Sequence, residues 1–240
     1  MRILLINPNT SAGVTDLVAG HVRSIAGEAV DLVPVTARFG ARYIASRASL
    51  AIAGHAALDC LAAHVAGCDA VYLACFGDPG LAALREVAPV PVVGMVEASC
   101  RAAADRPGRF AIVTGGTLWP PILAEMVTTL GLSGRFAGVR AIAPTGAEIA
   151  REPDAALDRL AAACRACAED GAETVILGGA ALAGLSRRLQ PRVPVPVICS
   201  VEAGTRAVLA AAGMPGGGAA RAPAESVGLS PALAHMLARA

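Results

Sequence analysis

Residues 67–77 read GCDAVYLACFG, and residues 171–181, displaced by 104 positions, read GAETVILGGAA. Each copy opens on a polar turn, runs through an apolar stretch of strand length and ends in small residues. Two further pairs keep the same order along the chain. RILLINPNT (2–10) aligns without gaps on RFAIVTGGT (109–117) at an offset of 107, and PVPVVGMVEAS from Pro89 aligns on PVPVICSVEAG from Pro194 at 105. The second half therefore repeats the first, which predicts two similar α/β lobes related by a pseudo-twofold axis.

Around these anchors, apolar runs alternate with alanine-rich amphipathic patterns. Strands are predicted over 2–6, 30–35, 70–74, 90–93, 110–113, 139–142, 174–177 and 195–198. Helices are predicted over 11–25, 49–66, 81–87, 97–104, 118–130, 154–169, 182–189 and 201–212. Near-continuous apolar strands separated by helices imply parallel sheets covered on both faces. The organisation is a first α/β lobe over 1–108, a second over 109–212, and a Gly/Pro linker with a short helix from Ser230 over 213–240, packing on the body. Ligands in such folds lie outside the carboxyl ends of the strands. That places the site in the cleft between the lobes, at 7–10, 75–78, 114–117 and 178–181.

Composition removes several classes of function. The 240 residues are 55% hydrophobic and 16% charged, enough to bury a large core. A net charge of +1 with no basic run gives no footprint for nucleic acid or a membrane surface. No apolar stretch reaches the length of a transmembrane helix, and MRILLINPNT turns polar too early for a signal peptide. Seven cysteines scattered through apparent core read as reduced thiols of a cytoplasmic protein. Cys164 and Cys167 form a CxxC in a helical pattern without a second pair, so no metal is expected. Cys60, Cys68 and Cys100 read as core. No histidine falls in HExxH or triad spacing, and no phosphate loop follows a strand.

Cys75 ends the third strand ahead of Phe76-Gly77-Asp78-Pro79-Gly80. Backbone N–H groups in such a turn can cradle an anion, and a nearby helix N-terminus lowers a thiol's pKa. Position alone suits an inert buried cysteine equally well. Asn7, Asn9 and Thr10 stand at a strand end where amides and a hydroxyl can hold a carbonyl or carboxylate, although Thr10 or Ser11 would also serve as a plain helix cap. Thr114 and Gly115 hold the repeat-related place. Glu97 and Glu202, in the first turns of equivalent helices, suit the helix dipole.

NPNTS after the first strand, CFGDPG after the third, DGAETVILG before the second-half turn and the PVP-strand–VEA pattern together resemble the Asp/Glu/hydantoin racemase superfamily. The hydantoin and allantoin racemases form the branch that these motifs match, over residues 1–212. The resemblance implies a cofactor-independent isomerase, a racemase or epimerase of hydantoin-like or amino-acid-derived small molecules, expected as a homo-oligomer. In that family two cysteines, one per lobe, flank the substrate's α-carbon. The first maps onto Cys75; the second maps onto Gly179, where VILGGAALAG (175–184) replaces a Leu-Gly-Cys-Ala-Gly-Met pattern. Three readings follow. Cys199 could supply the second catalytic group, or Thr114 or Thr117 could position a water. A single thiol could serve a decarboxylase, lyase or cis–trans isomerase of small carboxylates. The cleft could also belong to a catalytically silent ligand-binding paralogue. Backbone N–H groups of Phe76 and Gly77, and of Gly178, Gly179 and Ala180, are the predicted donors to the ligand's oxygens. The absence of arginine from CFGDPG favours cyclic amides over free amino-dicarboxylates.

Overall fold

The computed structural model describes residues 1–143, 145–217 and 225–238. In the first lobe β1 (Arg2–Asn7), β2 (Asp31–Thr36), β3 (Ala70–Leu73) and β4 (Val92–Gly94) form a parallel sheet in the order β2-β1-β3-β4. In the second, β5 (Phe110–Gly115), β6 (Phe136–Ile142), β7 (Thr174–Gly178) and β8 (Val197–Cys199) form another in the order β6-β5-β7-β8. The two orders are the same. Helices α1 (Ala12–Ala26), α2 (Arg47–His64), α3 (Leu81–Val87) and α4 (Met95–Ala104) flank the first sheet. They are followed by α5 (Trp119–Thr129), α6 (Gly146–Arg151), α7 (Pro153–Glu169), α8 (Leu185–Leu189), α9 (Ser200–Ala211) and α10 (Pro231–Leu237).

Three departures from the sequence expectation have local causes. Strands β4 and β8 begin two residues late because Pro89, Pro91, Pro194 and Pro196 have no N–H for the ladder. The Pro91 and Pro196 carbonyls still accept from Val71 N–H at 2.8 Å and Val175 N–H at 2.9 Å. Helix α6 was not foreseen, although Thr145 and Glu148 form a reciprocal capping box legible as T-x-x-E. The helix predicted over 182–189 splits into a 3-10 turn (Ala180–Leu182) and α8, parted where Gly184 turns left-handed.

The central strands are buried on both faces, as Ile3-Leu4-Leu5-Ile6 of β1 illustrates. One hydrophobic cluster holds residues of both lobes, including Leu5 and Tyr72 with Ile112 and Ile176. Helices α4 and α9 pack on each other between the sheets, and α9 also packs on β3. There the fully buried Tyr72 donates its hydroxyl to the Val201 carbonyl at 3.4 Å. The ring reaches α9 because residue 204 is glycine: a Cβ there would lie 2.2 Å from the Tyr72 oxygen. Ser230 caps α10 by accepting from Leu233 N–H, and α10 packs on α2. The linker expected after Ala212 lies partly outside the described residues, at 218–224. Among the described residues no helix is long and apolar enough to cross a membrane.

Candidate active site

The carboxyl ends of β1, β3, β5 and β7 converge on a cavity between the lobes. Cys75 lies at its lip. The Cys75 N–H donates to the Leu73 carbonyl at 3.0 Å, and the Cys75 carbonyl accepts from Gly77 N–H at 2.9 Å and Asp78 N–H at 3.1 Å. This tight turn throws the Phe76 ring across the cleft onto Gly178, where a Cβ would stand 2.1 Å from the ring. Any side chain at 178 would push Phe76 out of the interlobe seam.

The opposite wall is Gly178 to Leu182 with Thr114 and Gly115. Thr114 pairs with Gly178 across β5 and β7 and is 4% exposed; its hydroxyl has no hydrogen-bond partner among the described residues. On the first-lobe side, the Asn9 carboxamide oxygen accepts from Ser11 N–H at 2.8 Å and from Asn7 Nδ2 at 3.0 Å, leaving Asn9 Nδ2 free. Two buried polar groups thus reach the cavity unpaired, which is costly unless something polar occupies it. Tyr43, Ile44, Val14 and Trp119 complete the walls. Tyr43 donates its hydroxyl to the Gly115 carbonyl at 3.2 Å and accepts from Gly146 N–H at 3.0 Å, joining the β2–α2 connection to the second lobe.

Among the described residues no arginine, histidine or carboxylate lines the cavity, and the chain contains no lysine on which a Schiff base could form. Cys75 and Tyr43 are its ionisable groups. Burial pushes both up, and the Asp78 carboxylate pushes Cys75 further. This corrects the expectation of a thiol acidified by its turn. The Gly77 and Asp78 N–H groups serve the Cys75 carbonyl, not the sulfur, and no cation offsets the loss of water.

Of the residues singled out from sequence, Asn9, Cys75, Phe76, Thr114, Gly115, Gly178, Gly179 and Ala180 line the cavity. Asn7, Thr10, Gly77 and Cys199 do not. Asn7 is buried behind the loop, donating to Ser11 O and Thr15 Oγ1, so it shapes NPNTS from within. Thr10 bonds through its N–H to Ala41 O, and the α1 N-cap Ser11 makes no side-chain cap. Gly77 lies behind the turn against Trp119. Cys199 lines two other hollows, one with His21 and Arg187 and one with Arg106 and Arg206. The residue that reaches position 179 is its neighbour Ser200, whose Oγ accepts from Gly179 N–H at 3.1 Å. Tyr43, Trp119 and Gly146 were missed, since each lies in a connection or helix start that carries no strand-end signal.

A family model described as Asp/Glu/Hydantoin racemase matches residues 3–208. The chain belongs to this racemase family. It is an isomerase by that membership and by its relatives. The chain is 34% identical to the hydantoin racemase of Paenarthrobacter aurescens over 213 residues, covering 86% of this chain and 89% of that one. The allantoin racemase structure from Klebsiella pneumoniae superposes with a TM-score of 0.86 at 30% identity, covering 95% and 97% of the two chains. That from Pseudomonas fluorescens superposes with 0.83 at 32%, covering 88% and 90%. Gly179, where the resemblance placed a second cysteine, has a φ of 147°, one that side chains rarely adopt.

Proposed function

We propose that this racemase inverts a neutral, hydantoin-like ring at the carbon between its carbonyl and ring nitrogen, with Cys75 serving one face. The observation that carries the reading is the cavity's lining: no fixed charge, two unpaired polar groups and a thiol. Val14, Ile44, Trp119 and Leu182 supply apolar contact for a ring substituent. A free amino-dicarboxylate would find no cation to pair with.

In this scheme the Cys75 thiolate takes the α-proton and the electron pair moves onto the ring carbonyl as an enolate. The Phe76 and Ala180 N–H groups, repeat equivalents without protein acceptors among the described residues, are the nearest backbone donors for that oxygen. Asn9 Nδ2 orients the ring from the first lobe. A water held by Thr114 delivers a proton to the far face and becomes hydroxide, which the Cys75 proton neutralises by way of solvent. Single enantiomers of 5-substituted hydantoins and of allantoin, incubated in D2O, should lose optical rotation while gaining one α-deuterium. Absence of deuteration with these and with Asp and Glu would sink the reading.

The backbone at Gly179 favours one rival, in which a single thiol protonates a planar intermediate from one face. Mass spectrometry of products from substituted malonates and maleate separates the two, because only the rival loses CO2 or isomerises the alkene.

A further inference from the structure

Asp78 does not line the cavity, yet it is the most constrained residue beside it. Among the described residues it is the one non-glycine at positive φ, 39°, a conformation that persists only where the surroundings enforce it. Its buried carboxylate reaches the start of α4, where Oδ1 accepts from Val96 N–H at 3.0 Å and Oδ2 from Glu97 N–H at 2.9 Å. The approach is close: a Cβ on Gly94 would lie 2.5 Å from the Asp78 Cγ. Along the backbone, Asp78 N–H donates to the Cys75 carbonyl and its carbonyl accepts from Leu81 N–H at 3.2 Å. One residue thereby ties together Cys75, the start of α3 and the start of α4. The second lobe has no counterpart, since Leu182 stands at the matching position and α9 begins without a side-chain cap.

We propose that Asp78 is a positioning residue for Cys75, pinning the CFGDPG turn to the α4 N-terminus and so fixing where the sulfur points. The inference rests on Cys75 being the working thiol, but its labelling test needs no substrate. The carboxylate faces Cys75 on its own turn, Tyr72 on β3, and Glu97 and Cys100 on α4; Glu97 is paired with Arg85 of α3 and Arg101 of α4. Burial pushes the Asp78 carboxyl up to about 7, Glu97 adds to the rise, and the α4 N–H donors oppose it. Once ionised, Asp78 resists formation of a second negative charge on Cys75.

The experiment is iodoacetamide labelling of Cys75, read by peptide mass spectrometry between about pH 5 and 10, a span that brackets the Asp78 carboxyl at about 7 and follows the rising thiolate fraction of Cys75. For the wild type, the logarithm of the rate should climb with pH, flatten near 7 as Asp78 ionises, and then climb again. Asp78→Asn should remove the flattening and shift the curve toward lower pH by roughly one unit. Asp78→Glu keeps the charge on a longer arm; it should keep the flattening while lowering kcat more than it alters KM. Cys199, outside the cavity, should label alike in all three proteins. An Asp78→Asn profile superimposable on the wild type, together with an Asp78→Glu variant of unchanged kcat, overturns the proposal. If Asp78→Asn does not fold, Asp78→Glu decides, by a kcat that falls while KM holds. Coupled labelling without exchange of any hydantoin would count against the racemase reading and leave the positioning role standing.

Discussion

After β3 the chain sets Cys75, Phe76 and Asp78; after β7, at the matching positions, it sets Gly179, Ala180 and Leu182. The strand order around the two turns is the same, and both edge strands start late behind the same prolines. The frame is therefore held by the sheets and helices, and neither the sulfur nor the carboxylate is required to build it. What differs is the wall each turn presents. The first-lobe wall carries a thiol on a turn pinned by a buried carboxylate. The second is apolar along its turn, and its one free hydroxyl comes from Thr114 on the adjacent strand.

The asymmetry can be broken most forcefully at the thiol. Cys75→Ser should lower α-proton exchange by on the order of 10^3, since a positioned acid–base group contributes about 10^2 to 10^4; NMR in D2O with circular dichroism as a folding control measures it. Restoring symmetry is the next largest change. A Cβ at Gly179 would lie 3.2 Å from Leu182 Cγ at a strained φ, so Gly179→Cys alone should lose roughly 1–3 kcal/mol in denaturant melts. Adding Leu182→Met, whose unbranched chain can yield, should raise racemisation about 100-fold. No rise in a folded double variant would mean that the second face is already served.

Thr114→Val removes the lone hydroxyl of the second wall and should slow inversion about 10-fold or more while sparing exchange at the Cys75 face, seen as deuteration outpacing loss of rotation. A pH series sharpens the electrostatic contrast. Because burial raises the Cys75 thiol, kcat/KM should keep rising into the alkaline range, beyond the plateau of an ordinary thiol. Stability should run the other way. The folded Asp78 carboxyl sits at about 7, against about 3.9 for an aspartate in an unfolded chain, so the folded state holds this proton more tightly. Its stabilising contribution is full below about pH 4 and is lost as pH rises through 7; thermal melts of wild type against Asp78→Asn isolate that slope. Smallest of all, Cys199→Ala should leave turnover within about twofold, as expected of a substitution outside the cavity.

Much of this contrast was legible in the sequence, because repeats and strand ends leave a pattern that survives without coordinates. Residues at the ends of β1, β3, β5 and β7 were placed correctly when their side chains or backbone turn inward, as with Asn9, Cys75, Thr114 and Gly178. Asn7 and Thr10 lie outside the cavity lining because each is spent locally, the Asn7 amide inside the loop and the Thr10 N–H on the Ala41 carbonyl. Cys199 was chosen by topology, which located its strand beside β7, but the one-residue step to Ser200 decides which side chain meets Gly179. Tyr43 and Trp119 could not be read locally at all. They enter the cavity from outside the strand ends, through contacts separated by many residues in sequence.

The seating of Tyr72 under Gly204 has a mechanical consequence. A first-lobe strand and a second-lobe helix meet there with no room for one additional carbon, inside a core that the two halves share. Parting the lobes would return that shared apolar surface to water, so the two halves stand or fall as one cooperative unit.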